Sequence, residues 1–457
     1  MKHSNILFLG TIADVNYLSH IKTMFGTASV LVWTKSISTI TEVVMYCKAR
    51  NITGVVSTNT TLLTKLLGKD GERKSPSLDS YAGSLFKHSG LEVVFISPLE
   101  QFVTVPYAKF LARRFISKLI NPSVWFQEVN FKWEILDASN SDRIFDSYSS
   151  ATLIAIDIET FKDPLSIRCV GYTAVWIDGT GNISTHSCVL PIDSLYNLAI
   201  LRKFNWELKA PKTLQNGKYD HAYLLRYNAT VYNWQFDTAT MFHCWYSELP
   251  KDLGFLGAFF VREAMYWKDL ADTTDLHEYY LYNCRDHWTT ALVTLIWILQ
   301  APQWAKDNYL KEFPLNFPCL LSEMTGIKRD MNKLAEARTE IDARIEEKVG
   351  SLSKMMGWNV NVNSPIQMKK ICKILGLGDV TTTKESALNK FMFQHPLNAR
   401  ILGLVLDIRG DRKLTSTYLR TDDDIKKPGD TGYKEFNGRI LYSLIPHGTI
   451  TGRLASR

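Results

Sequence analysis

The stretch Leu153-Ile154-Ala155-Ile156-Asp157-Ile158-Glu159 constrains this chain more than any other, because two acids are set into the end of an apolar run. A short β-branched run of this kind reads as a strand buried on both faces. Residues two apart on a strand share a face, so Asp157 and Glu159 project together. Two carboxylates held side by side repel each other unless a cation joins them. A hard divalent ion such as Mg²⁺ prefers oxygen donors of this kind. Taken alone, the pattern is more often a solvated strand end than a site.

The flanking pattern sets the fold class, which is α/β. After Leu153–Ile158, Arg168–Ile177 reads as a second strand. The turn Asp178-Gly179-Thr180-Gly181-Asn182 leads to a third, Ser184–Leu190, which makes a hairpin. Helix candidates follow at Leu195–Lys203, from about Lys218, and at Phe236–Ser247, Leu253–Arg262 and Leu276–Leu299, with a short strand at Thr213–Gln215. Strands followed by interspersed helices, with acids at strand ends, resemble the layout of an RNase H-like core, expected over residues 151–302.

Residues 1–122 alternate strand-like runs (Asn5–Gly10, Ser29–Trp33, Gly54–Ser57, Leu91–Ile96) with helix candidates (Val15–Met24, Thr39–Arg50, Leu78–His88). That alternation predicts an N-terminal α/β module with a parallel sheet. It has neither a phosphate-loop glycine fingerprint nor clustered acids, so a scaffold or interaction role is expected. Residues 123–150 read as a β-like stretch, Val124–Leu136, and a polar linker, Asp137–Ser150. Residues 303–457 read as mostly helical up to Leu419. Met331–Met356 is long and amphipathic, and Ser364-Pro365 opens a helix over Ile366–Leu375. Thr421–Gly432 reads as a polar loop and Gly438–Arg457 as extended.

Composition narrows the function classes. With 46% hydrophobic and 22% charged residues, the chain looks like a globular protein. No run approaches the ~20 apolar residues of a membrane span, and no signal peptide is legible, so a cytoplasmic location without membrane association is expected. The 7 cysteines are scattered without a C-x-x-C pair, which fits reduced thiols and not a disulfide framework or a zinc site. A net charge of +7 suits a nucleic-acid partner as well as it suits a plain basic surface.

Two further motifs change the weight of the first. In Asn216-Gly217-Lys218-Tyr219-Asp220, a helix start puts Asn216 and Asp220 about one turn apart. In Tyr282-Asn283-Cys284-Arg285-Asp286, Tyr282 and Asp286 share a helix face. Each alone is most simply a surface acid. In order and spacing, D-x-E, N-x-x-x-D and Y-x-x-x-D resemble the signature of the DEDD exonucleases, and within them the tyrosine-bearing subgroup used in DNA proofreading. The histidine subgroup carries its His five residues before the last Asp, where this chain has Leu281.

The resemblance implies a two-metal 3′→5′ exonuclease. Two Mg²⁺ ions about 4 Å apart, with Mn²⁺ as a substitute, would clamp the scissile phosphate. It makes Asp157, Glu159, Asp220 and Asp286 the metal carboxylates and Tyr282 the residue that aims the attacking water. Thr160, Asn216 and Tyr219 match positions that contact the terminal nucleotides of single-stranded DNA.

Further along, Arg409-Gly410-Asp411-Arg412-Lys413-Leu414-Thr415-Ser416-Thr417-Tyr418 resembles the thumb signature of family A (Pol I-like) DNA polymerases. Gly438-Arg439-Ile440 and Thr449-Ile450-Thr451-Gly452-Arg453-Leu454-Ala455-Ser456 resemble that family's approach to the palm. Asp237-Thr238 and Leu249-Pro250-Lys251-Asp252-Leu253 fit its exonuclease domain. The likeness covers roughly residues 150–457 and implies primer–template DNA as a partner. Arg409, Arg412 and Lys413 would contact phosphates, and Arg453 would monitor the primer terminus. The first module does not resemble the family's 5′-nuclease, which points to a phage-type enzyme in a bacterial host. The sequence stops before the polymerase aspartates, so a second polypeptide carrying palm and fingers is expected, or else a truncation. A free-standing DEDD nuclease and a non-catalytic DNA-holding subunit are the competing readings. The tryptophans (Trp125, Trp133, Trp176, Trp206, Trp234, Trp245) read as packing anchors, and His221 and His287 as neighbours of the acids, not ligands.

Overall fold

A computed structural model describes residues 3–34, 36–68, 76–127, 129–161, 166–378, 380–420, 434–436 and 438–456. The loop expected at Thr421–Gly432 lies outside these residues. The chain divides into two compact units, one of residues 1–321 with 444–456 and one of residues 322–443.

The first unit holds two sheets. In the N-terminal sheet, β1 (Asn5–Leu9), β2 (Ser29–Trp33), β3 (Gly54–Ser57) and β5 (Leu91–Phe95) are parallel, and β4 (Leu85–His88) is antiparallel to β5. The strand order is β2-β1-β3-β5-β4. Val55, Val56, Val93 and Val94 are buried with Leu7 and Phe8, so this sheet is covered on both faces as the α/β reading expects. One expectation fails here. Leu78–His88 is not a helix but a single turn, Leu78–Tyr81, followed by β4. Gly83 breaks it, with φ +85, at a point where a Cβ would come within 2.6 Å of the Phe115 ring.

The second sheet has the order β11-β10-β7-β8-β9-β6. Its strands are β6 (Trp133–Ile135), β7 (Leu153–Thr160), β8 (Ile167–Ile177), β9 (Ile183–Pro191), β10 (Lys212–Leu214) and β11 (Trp234–Asp237). β7, β8 and β9 form an antiparallel meander, while β10 runs parallel to β7. The polar linker expected at Asp137–Ser150 is instead mostly helix, Ser141–Ser149. Most of its polar residues face outward, while Ile144 and Tyr148, one turn apart, enter the core. The Tyr148 hydroxyl donates to the His186 carbonyl at 2.8 Å.

Alternation along β7 divides the core in two. Ile154, Ile156 and Ile158 pack with Leu201 and Phe204 of the Leu195–Glu207 helix. Leu153 and Ala155 pack with Leu292, Leu295 and Ile296 of the Leu276–Gln300 helix. Asp157 and Glu159 continue the second series and so point along that same helix toward its N-terminal half.

The second unit is helical as expected. Met331–Met356 begins at an Asp330 cap and ends at Gly357, whose φ of 75 closes the helix. Ser364 caps Pro365–Ile374. Glu385–Gln394 and Ala399–Thr417 complete a core built on Leu352, Met368, Ile371, Leu388, Leu402, Val405 and Ile408. A small antiparallel sheet pairs Ile327–Lys328 with Arg439–Leu441 and the latter with Lys434–Phe436. All 7 cysteines are buried free thiols. Among the described residues, no helix is long and apolar enough to cross a membrane.

Candidate metal centre

Three carboxylates distant in sequence meet at the end of β7. Asp157, Glu159 and Asp286 each offer an oxygen, and these oxygens lie within 4.8 Å of one another. Asp286 comes from the Leu276–Gln300 helix, which starts at an Asp275 cap. Residues 279, 282, 283, 286 and 287 recur at helical spacing and bring Tyr279, Tyr282, Asn283, Asp286 and His287 to one face. Asn283 Nδ2 donates to Asp157 Oδ2 at 2.8 Å, and the Tyr279 hydroxyl donates to Glu159 Oε2 at 3.3 Å.

Close approach of this helix depends on Gly171, which pairs with Asp157 in the β7–β8 register. A Cβ there would lie 2.0 Å from the His287 ring and 2.4 Å from Asn283 Oδ1. His287 is buried, hydrogen-bonds Thr173 at 2.6 Å, and is driven down to about 3 by burial. It packs against β8 at Gly171, and His221 is buried as well.

Asp220 stands beside the trio and not within it. Pairing of β10 with β7 stops at Ala155, which leaves the Ile158 N–H open on that edge. Asp220 Oδ1 accepts it at 3.1 Å. The loop before its helix bends through Asn216, at φ 52, and is held by Asp237, whose Oδ2 accepts the Gly217 N–H at 2.7 Å. Thr160 and Tyr219 face each other, their hydroxyls 3.5 Å apart.

The electrostatics are those of crowded acids. Burial, and then the charges of Asp286, Asp220 and Glu159, push Asp157 well above the carboxylate range. Glu159 rises to about 7 by burial and by Asp286, and Asp220 to about 8, chiefly by burial. Asp286 is also raised by burial, although three donors, Lys268, Trp267 and Tyr282, oppose the shift. Trp267 Nε1 donates to its Oδ1 at 2.6 Å, and Lys268 Nζ to its Oδ2 at 2.7 Å. Lys268 Nζ also lies 3.3 Å from the Tyr282 hydroxyl. Burial and nearby carboxylates push the Tyr282 phenol up, so it stays protonated. An oxygen-only donor set that shares too much negative charge fits a hard divalent cation.

Sequence reasoning missed Trp267, Lys268, Tyr279, Asn283 and Gly171. The helical spacing from Asp286 would have found Asn283 and Tyr279. Trp267 and Lys268 lie in the irregular stretch around the Lys268–Asp272 turn and carried no periodic signal.

In the second unit, Arg409 does not face outward. Its Nε and Nη2 donate to the Val362 carbonyl at 2.9 and 2.7 Å, and Nη1 to that of Thr383 at 2.6 Å. These three bonds tie its helix to the backbone at Val362 and Thr383. Asp411 is buried between Arg344 and Lys348 and ties the two longest helices of that unit together. Arg412 is half-buried and Lys413 exposed; Arg453, in the first unit, is exposed. Of the tryptophans, Trp125 and Trp234 are buried anchors, whereas Trp206 is 57% exposed.

No protein-family model matches the sequence, and no curated protein is similar to it. Among solved structures, the chain is similar to the polymerase domain of Pol1 from M. smegmatis in complex with DNA primer–template and dNTP. The identity is 16% and the TM-score 0.49, over 71% of this chain and 54% of that one. The chain thus spans about half the length of that structure.

Proposed function

We propose that the first unit of this chain is a two-metal 3′→5′ exonuclease acting on DNA ends, and that the helical second unit holds primer–template DNA as the thumb of a family A polymerase does. The observation that carries the nuclease reading is the convergence of Asp157, Glu159 and Asp286, with oxygens within 4.8 Å of one another. Residues this far apart in sequence, each motivated independently by the motif order, meet at one point. Asp157, Glu159 and Asp286 would hold the ions, with Asp220 supporting from the β10 side. Bound ions would supply charge neutralisation at the phosphate and an activated water.

The chain's own residues account for the rest. Tyr282 carries a protonated hydroxyl beside Asp286 and orients the attacking water. Asn283 and Tyr279 fix the rotamers of Asp157 and Glu159 by hydrogen bonds. Thr160, Asn216 and Tyr219 line the approach for the terminal nucleotides. The product is a nucleoside 5′-monophosphate. In the second unit, Lys413 and Arg412 are the cations retained for phosphate contact, since Arg409 is engaged internally.

The test is Mg²⁺-dependent digestion of 5′-labelled single-stranded DNA. Asp157→Ala together with Glu159→Ala is expected to slow it on the order of a hundredfold or more. An unchanged rate rejects the site, and a strong preference for RNA ends rejects the DNA assignment.

A further inference from the structure

Asp286 has both of its oxygens engaged by consecutive residues. Trp267 takes Oδ1 at 2.6 Å and Lys268 takes Oδ2 at 2.7 Å. Lys268 is thus an ammonium in direct contact with a carboxylate that the metal reading requires as a ligand. This reflects how its segment is held. Lys118, fully buried, donates to the carbonyls of Gly83 and Val261 at 2.6 and 2.9 Å. Arg262 pairs with Glu92 at 2.6 Å. The Tyr266 N–H donates to Ser84 Oγ at 3.1 Å, and the Tyr81 hydroxyl donates to Asp269 Oδ2 at 2.7 Å. The N-terminal module therefore grips the segment on both sides of Trp267 and Lys268 and aims them at the acid.

A divalent ion and an ammonium on one carboxylate oxygen repel each other, so one of them must yield. Trp267 is 7% exposed and packed on Tyr282 and Leu253, and Asp286 sits in a long helix. Lys268 has a long, flexible stem and a side chain that is 28% exposed. It is the group with somewhere to go.

We propose that Lys268 is an exchangeable internal cation of this site: it neutralises Asp286 and orders Tyr282 in the metal-free protein, and it surrenders Asp286 when a divalent ion binds. The ammonium released at the rim then faces the incoming phosphate backbone. This role rests on the metal-site reading above and gives the N-terminal module a function, which is to present the competing cation.

The experiment follows the lysine and not the reaction. The full chain is acylated at lysine with and without Mg²⁺, and the modification rate of Lys268 is read by peptide mass spectrometry. The rate is expected to rise about fivefold or more when the ion displaces a charge-paired amine. A rate unmoved at saturating Mg²⁺ overturns the proposal. In parallel, Mn²⁺ binding is measured by calorimetry on the wild type, Lys268→Met and Lys268→Arg. Removing the competing charge is expected to tighten Mn²⁺ about tenfold in Lys268→Met, while Lys268→Arg stays near the wild type. Equal or weaker binding by a folded Lys268→Met overturns the proposal. The two failures separate cleanly. If wild type and Asp157→Asn alike bind no Mn²⁺, the metal site itself is wrong. If Mn²⁺ binds and Lys268 does not respond, only the exchange is wrong.

Discussion

The two sheets of the first unit each hold an aspartate near the carboxyl end of a strand, Asp14 buried and Asp157 half-buried, and the two acids live in opposite circumstances. Asp14, just past β1, is 3% exposed and surrounded by donors. Its Oδ2 accepts from Thr11 N–H, Thr11 Oγ1 and Thr58 Oγ1 at 2.7, 2.8 and 2.7 Å, and its Oδ1 from Leu99 N–H at 3.3 Å. Asp157, on β7, has Asn283 as a donor and three other carboxylates as electrostatic neighbours. Burial alone does not mark an acid that seeks a cation. A carboxylate whose lone pairs are filled by neutral donors is a structural knot that joins three strand ends. A carboxylate crowded by others is incomplete until a cation arrives.

That contrast can be broken by substitution. Asp14→Ala leaves four donors without an acceptor, those of Thr58 and Leu99 buried, and should cost about 3 kcal/mol in denaturant unfolding. On the proposed nuclease reading, the rate of DNA digestion per folded molecule should stay within about twofold of wild type, since Asp14 stands apart from the carboxylate cluster. Gly171→Ala sharpens the other side. Its methyl would have to displace the His287 ring, and overpacking of this kind costs about 2 kcal/mol. Because the same shift moves Asp286 and Asn283 away from Asp157, activity should also fall on the order of tenfold. Ellman-type or thermal measurements of folded fraction separate the two effects.

A smaller effect carries the opposite sign. Removing a charge from the crowded site should help the fold, so metal-free Asp157→Asn at pH 8 should gain about 1 kcal/mol while losing its nuclease activity. The pH dependence follows the same logic. Glu159 and Asp220 titrate near 7 and 8 in the folded chain, against 4.5 and 3.8 as ordinary values. Their contribution to stability is full below the ordinary values and is lost as pH rises through 7 and 8. A bound divalent ion reverses the repulsion. Mg²⁺ should therefore raise the melting temperature by about 2–4 °C at pH 8.5 and by little at pH 5.

Much of this was legible in the chain. The two-residue period of a strand over Leu153–Glu159 puts Asp157 and Glu159 on one face, and the Tyr282–Asp286 spacing defines a second face. Register was not legible, since nothing in the sequence says that Gly171 lies opposite Asp157 and admits the helix so closely. Leu78–His88 carried apolar residues that suit helix or strand, and Gly83 settled the matter through a contact with Phe115, far along the chain. Asp137–Ser150 looked like a linker because polar residues dominate it, although Ile144 and Tyr148 were enough to seat a helix. Arg409 opens the stretch that resembles a thumb signature, and neither that likeness nor its charge reveals that carbonyls of Val362 and Thr383 lie within reach. Lys268 was invisible for a related reason: its position is dictated by hydrogen bonds to residues 81–118, a tertiary fact with no local trace.

The most direct measurement is anomalous diffraction from crystals of the full chain grown in Mn²⁺. An ion is expected about 2.2 Å from oxygens of Asp157, Glu159 and Asp286, with the Lys268 ammonium turned away from Asp286. Saturating Mn²⁺ with no peak among these carboxylates, and Lys268 still bonded to Asp286, would contradict it.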